Sequence, residues 1–333
     1  MNTLKQLLVL GIIALSWASC DVVEPPVYGC IDPLASNYDP ATTLADGPCQ
    51  GDCEYGMDAT LGCMDATALN YNAAATSDDC SCIFEGSRNV LIEDFTGHRC
   101  NNCPQAAEII HDLQETHGSR VVAIAIHASE FFAGPINLPD GPYSSDYRTS
   151  VGTDWDAEFL ISNFGLPGGM INRQNDGGVF ALGREQWDQK MTEALEPEPE
   201  ALVDITHTYD SVTRLIDATI EISALTDLAN APYKLTVVLT EDSIVDWQQD
   251  NRLEPNPDIE DYVHNHVLRA SFNGTWGDNI GGGNALTAGQ AASSNQTLTL
   301  DAEFVDRHCN IVAFIYRDDT KEVIQAQYVH LIE

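Results

Sequence analysis

Two cysteines two residues apart, Cys100-Asn101-Asn102-Cys103, carry the most explicit chemistry in this sequence. A cysteine at a helix N-terminus faces unpaired N–H groups and the positive end of the helix dipole, and both stabilise a thiolate. The spacing lets the second sulfur reach a mixed disulfide formed on the first and resolve it. The assignment is therefore Cys100 as nucleophile and Cys103 as resolving residue, with His98 and Arg99 supplying positive charge beside them. Two other readings stand next to this one. A structural zinc site needs four ligands, and no second CxxC or CxxH follows at finger spacing. A purely structural disulfide needs no further residue.

The elements around the pair decide what it can do. Residues 88–95 read as a short apolar strand running into the cysteines. After Cys103, Ala106, Ile109, Ile110 and Leu113 fall on one helical face, which Gly118 ends. Residues 121–126 are continuously apolar, as in a strand buried on both faces of a parallel sheet. Strand, CxxC, helix and buried strand form the context of a redox motif. The long aromatic segment from Phe131 to Trp155 reads as a lid, an inserted helix or a cover for the sheet edge, and 183–195 as a closing helix.

These residues resemble thioredoxin-like folds, in which a cis-proline sits beside the CxxC and the backbone before it pairs with substrate peptide. Pro167 is the matching position, with Leu166 before it. More specifically, Phe95-Thr-Gly-His-Arg-Cys-Asn-Asn-Cys-Pro104, the strand end at His127, Asp146-Tyr-Arg148 and the Gly165-Leu-Pro167…Asn172-Arg173 block resemble the outer-membrane protein 28 family of Bacteroidota, over roughly residues 86–333. The resemblance implies a lipoprotein with a thioredoxin-like domain and a β-rich C-terminal domain, in a family known as surface antigens and adhesins. Arg99 replaces the aromatic of thioredoxin itself and Asn101-Asn102 replaces Gly-Pro, so substrate preference does not transfer.

Composition places the chain outside the cytoplasm. Seven of the ten cysteines lie between residues 20 and 82, a density that fits an oxidising compartment. Lys5 and the apolar run 7–15 form a secretory leader too short to span a bilayer. The small-residue run ending at Cys20 reads as a lipobox with Cys20 lipidated; cleavage after Ala18 is the alternative. With 51 Asp and Glu against 15 Lys and Arg, the net charge of −36 argues against nucleic acid and against electrostatic docking on anionic lipid.

Residues 29–82 contain a 33-residue repeat, Gly-Cys-x-Asp…Ala-x-Asn-Tyr…Asp…Cys, too poor in apolar residues to fold without staples. Repeat symmetry predicts the disulfides Cys30–Cys49 and Cys63–Cys82, leaving Cys53 and Cys80 to lock the units together. Asp32, Asn37, Asp39, Asp46 and their counterparts lack the alternation of an EF-hand, which favours Asx-turns over Ca²⁺.

Glu196-Pro-Glu-Pro-Glu200 reads as a stiff linker. Beyond it, seven strand-like runs (202–209, 215–222, 233–240, 262–272, 296–304, 310–316 and 323–331) fit an antiparallel β-sandwich. Residues 278–284 are a hairpin tip, since no helix follows to make a phosphate loop. His264 and His266 fall on one face of a strand, where His308 would complete a metal site; a solvated histidine pair is the plainer reading. Cys309 begins an apolar strand and reads as a buried small hydrophobe.

The expected fold is α/β plus all-β. It divides into a signal peptide (1–19), a lipid-anchor tether (20–28), disulfide-rich repeats (29–85), a thioredoxin-like domain (86–196), a linker (197–200) and a β-sandwich domain (201–333). The expected function is thiol–disulfide exchange on exported proteins at the outer membrane, on its periplasmic or cell-surface face, with no cofactor and no metal. The alternative is a surface binding or adhesion module in which the same fold is scaffold.

Overall fold

The computed structural model describes residues 87–332 apart from 138, 140 and 229–231, together with 28–29, 40–41, 44–45, 60, 64 and 71–76. Cys20 and the six cysteines of the repeats lie outside the described residues, as do their predicted pairings. Two short strands precede the main body, β1 (Tyr28–Gly29) and β2 (Leu44–Ala45), paired parallel. Asn72, the counterpart of Asp39 in the second repeat, accepts the Ala74 N–H at 3.0 Å, an Asx-turn.

β3 (Val90–Thr96) leads into α1 (Cys103–His117), and β4 (Val121–His127) returns parallel beside β3. α1 forms because its apolar residues recur on one face and Pro104 sits in the first turn, where a missing N–H is tolerated. Ala106, Ile110 and Leu113 bury against Val90, Ile92, Val121 and Ala123. α2 (Glu130–Ala133) and α3 (Ser150–Phe159) occupy the long aromatic segment, which is thus partly helical. β5 (Gly168–Ile171) pairs antiparallel with β3, and α4 (Trp187–Leu195) closes this half over α1.

The strands beyond the linker are β6 (Ala201–Asp210), β7 (Leu215–Ala224), β8 (Tyr233–Glu241), β9 (Ile244–Gln249), β10 (Asp258–His264), β11 (Val267–Ser271), β12 (Asp278–Asn279), β13 (Ala291–Thr299), β14 (Cys309–Arg317) and β15 (Val323–His330). They do not build a separate sandwich. One eight-stranded mixed sheet runs β15-β14-β8-β11-β4-β3-β5, with β12 also on β8, so the sheet begun by β3 and β4 continues straight into the second half. β11 makes the junction: Val267 pairs parallel with Ala125, whose N–H donates to the His266 carbonyl at 2.7 Å.

Only β6, β7 and β13 form a second, antiparallel sheet, and it stacks on the far part of the main one through Ile205, Ile220 and Ile222 against Leu235, Val237, Ile311 and Ile324. β9 and β10 make a separate hairpin. The run expected as one strand over 262–272 is broken at His266, whose φ of 58° turns β10 away from β11.

A buried ion pair sits where the halves meet. Arg173 reaches Glu93 of β3 with two bonds of 2.6 and 2.8 Å, both side chains fully buried. Trp155 and Phe159 of α3 and Phe314 and Tyr316 of β14 surround the guanidinium at 4.8–5.5 Å. Pairing and aromatic faces together compensate for taking both charges out of water.

Candidate functional site

Cys100 and Cys103 are joined in a disulfide, with Cα atoms 5.4 Å apart. The chain turns tightly into α1 here: the Cys100 N–H donates to Gly97 O at 2.9 Å and the Cys103 N–H to Cys100 O at 3.1 Å. Gly97 has to be glycine, because a Cβ there would lie 2.5 Å from the Phe132 carbonyl oxygen. That carbonyl accepts the Arg99 N–H, while the Arg99 guanidinium donates to Glu130 O and Gly134 O. Arg99 is therefore tied to the α2 segment.

Pro167 is cis, and the register sets Gly168 opposite Phe95, on the strand that runs into the CxxC. Leu166 and Pro167 are half-buried at the start of β5.

Both cysteines are almost fully covered, Cys100 at 1% exposure and Cys103 at 2%. The β9–β10 hairpin, whose first strand the sequence pattern does not reveal, packs on the backbone of this loop. Gln248 donates to Cys100 O at 2.9 Å, the Gln249 N–H to His98 O at 2.9 Å, and the Asn251 N–H to Asn101 O at 2.8 Å. Arg184 holds Asn102 O at 2.8 Å from the other side. Tyr143 and Tyr147, from the aromatic segment, bind the same hairpin: their hydroxyls donate to Asp258 at 2.6 Å and Asp246 at 2.5 Å.

His98 is buried and does not supply the positive charge expected of it. Burial lowers its pKa, with a smaller opposing push from the Gly134 carbonyl, and holds the ring neutral. It packs at 5.4 Å on Tyr143 and at 6.4 Å on Tyr147. Tyr147 in turn contacts His127 and His264, whose rings are 5.9 Å apart. Burial drives the pKa of His127 well below the usual range and that of His264 down to about 4.

His264 and His266 separate in space. His264 joins this aromatic cluster, whereas His266 pairs with Asp242 at 3.2 Å and Gln114 at 3.1 Å. Among the described residues no group of three or more His, Cys, Asp or Glu side chains is arranged to hold a metal ion.

Asp94 is the functional candidate the sequence reading passed over. It lies on β3 six residues before Cys100, is 3% exposed, and has one carboxylate oxygen with no hydrogen-bond partner. Burial raises its pKa from 3.8 to about 8. A carboxylate in an otherwise apolar strand bound for a sheet interior was the available signal, and Glu93 beside it obscured it.

The mixed sheet, begun by β3 and β4 and extended by the second half, is a fold shared with a solved structure. HBP35 of Porphyromonas gingivalis matches with a TM-score of 0.53 and 17% identity over 73% of this chain and 75% of that one. A domain of the outer membrane lipoprotein Omp28 from the same organism matches with a TM-score of 0.28 and 19% identity, over 41% of this chain and 91% of that one. No curated protein matches. The model of the outer membrane protein Omp28 family matches residues 157–333, more than half of the sequence. The chain belongs to the Omp28 family, and its location is the outer membrane.

Proposed function

We propose that this Omp28-family protein exchanges disulfides with exported proteins through Cys100 and Cys103. The observation that carries the reading is the CxxC disulfide closed at the N-terminus of α1, with Pro167 just before the strand that pairs with β3. In the reduced state the Cys100 thiolate attacks a substrate disulfide, forming a mixed disulfide and releasing one substrate thiolate. Cys103 gives up its proton and attacks the Cys100 sulfur; the Cys100–Cys103 bond re-forms and the second substrate thiolate leaves. The substrate gains two electrons, and an exported dithiol must supply two to begin another cycle. The proton that Cys103 gives up is taken by the substrate thiolate released in the first step. The backbone at Leu166 is the proposed partner of the substrate chain. Lipidation at Cys20 is the proposed anchor.

The near-complete burial of both sulfurs favours a second reading, a surface binding module in which the fold is scaffold. Reduction of insulin by dithiothreitol separates the two. Wild type is expected to accelerate it over Cys100→Ser; identical rates for the two proteins would remove the enzymatic reading.

A further inference from the structure

The hairpin meets the redox loop largely through bonds to the loop's backbone carbonyls. Segment Gln248–Arg252 runs beside loop 98–102, and the N–H groups of Gln249 and Asn251, two residues apart, donate to the carbonyls of His98 and Asn101. Main-chain donors hold a chain whatever its side chains; here they come from the end of β9 and the first residue of the 3-10 turn Asn251–Leu253, and reach two carbonyls three residues apart on the turn before α1. The Gln248 carboxamide also reaches Gly97 O and Cys100 O, so this segment contacts four of the carbonyls from Gly97 to Asn101, and Arg184 takes Asn102 O.

The far end is clamped to α1: Arg252 pairs with Glu108 at 2.7 Å, and Asn251 meets Asn102 and Gln105. The hairpin's own pairing, from Asp258↔Gln249 to His264↔Ile244, is made by other groups than these.

The geometry points to Gln248–Arg252 as a resident occupant of a peptide seat, so that the partner of the redox loop is a polypeptide segment, held by its main chain, that enters by displacing this one. This deepens the proposed exchange activity by naming its substrate class, and it carries a consequence independent of that activity. The resident segment must leave before any reagent reaches Cys100, so the CxxC disulfide of the closed protein is slow to reduce.

The experiment follows reduction of the Cys100–Cys103 bond in the full chain by dithiothreitol, with alkylation and peptide-resolved mass spectrometry to separate it from the other cysteines. Asn251→Ala/Arg252→Ala removes the clamp and touches neither sulfur; the rate is expected to rise about tenfold or more. The milder Glu108→Gln, at the α1 end of the ion pair, is expected to give a smaller rise and serves if the double variant does not fold. A synthetic peptide of residues 244–252 (IVDWQQDNR) is expected to return the double variant to the slow rate, and a scrambled peptide to leave it fast. Equal rates for wild type and both variants, or equal slowing by both peptides, would overturn the seat. If the seat behaves as expected but insulin reduction does not depend on Cys100, exchange fails and the seat stands; the converse pattern leaves exchange standing alone.

Discussion

At the residue scale, charge in the interior is what distinguishes this molecule. Asp94 is kept protonated by burial up to about pH 8, whereas in the unfolded chain it ionises near 3.8. Between those values the unfolded state releases a proton that the folded state keeps, so stability falls as pH rises from about 4 to 8 and is level above that. His264, with its pKa lowered to about 4, acts in the opposite sense: the unfolded chain binds the proton first, and stability falls as pH drops from about 6.5 toward 4. Asp94→Asn isolates the first effect. Its urea midpoint should exceed that of wild type by a margin that grows from pH 5 to pH 8; a margin that does not change with pH would mean Asp94 titrates normally. The CxxC itself was legible from spacing alone. Asp94 was not, because burial of a carboxylate is decided by packing from α1 and the neighbouring strands, which periodicity within β3 does not encode.

At the scale of elements, the Glu93–Arg173 pair holds β3, the turn after β5, α3 and β14 to one another. Arg173→Met leaves Glu93 buried and uncompensated, and should lower stability by about 3–5 kcal/mol in chemical denaturation, while Glu93→Gln/Arg173→Met should lose less. A double variant no more stable than the single would show that the aromatic cage, and not the charge pair, is what matters.

The strands after the linker were largely legible: β6, β7, β8, β14 and β15 fall within a few residues of their alternating or apolar runs. β9 was not. Its sequence Ile-Val-Asp-Trp-Gln-Gln has no clean alternation, because its partners are β10 on one side and the backbone of the redox loop on the other. Main-chain pairing leaves no mark in side-chain pattern, and the same reason hid the β11–β4 junction.

At the scale of the whole molecule, the core does not respect the linker. Leu91, Phe95, Ile124 and Trp155 share one buried cluster with Val238, Leu268, Val312, Phe314, Tyr316 and Val323. The stiff, charged composition of 196–200 suggested independent halves, but Glu200 binds Arg317 at 2.6 Å and β6 starts at the next residue. A fragment of residues 86–200 would expose that apolar face and the edge of β4. It should show no cooperative thermal transition by circular dichroism and should bind a hydrophobic dye. A sharp melt in the isolated fragment would establish that the first half is self-sufficient.

The last strand reaches back to the start of β3 and the end of β5. The Asn89 N–H donates to Gln325 at 2.7 Å, the Asn89 amide to Ala326 O at 3.0 Å, and the Val323 N–H to Asn172 O at 2.9 Å. A ribosome delivers residue 89 long before residue 325, so the redox half stays incomplete while the chain is being made. The edge beside β3 therefore stays unpaired until the C-terminal strand has been made, and this half of the protein is completed by the last residues of the other.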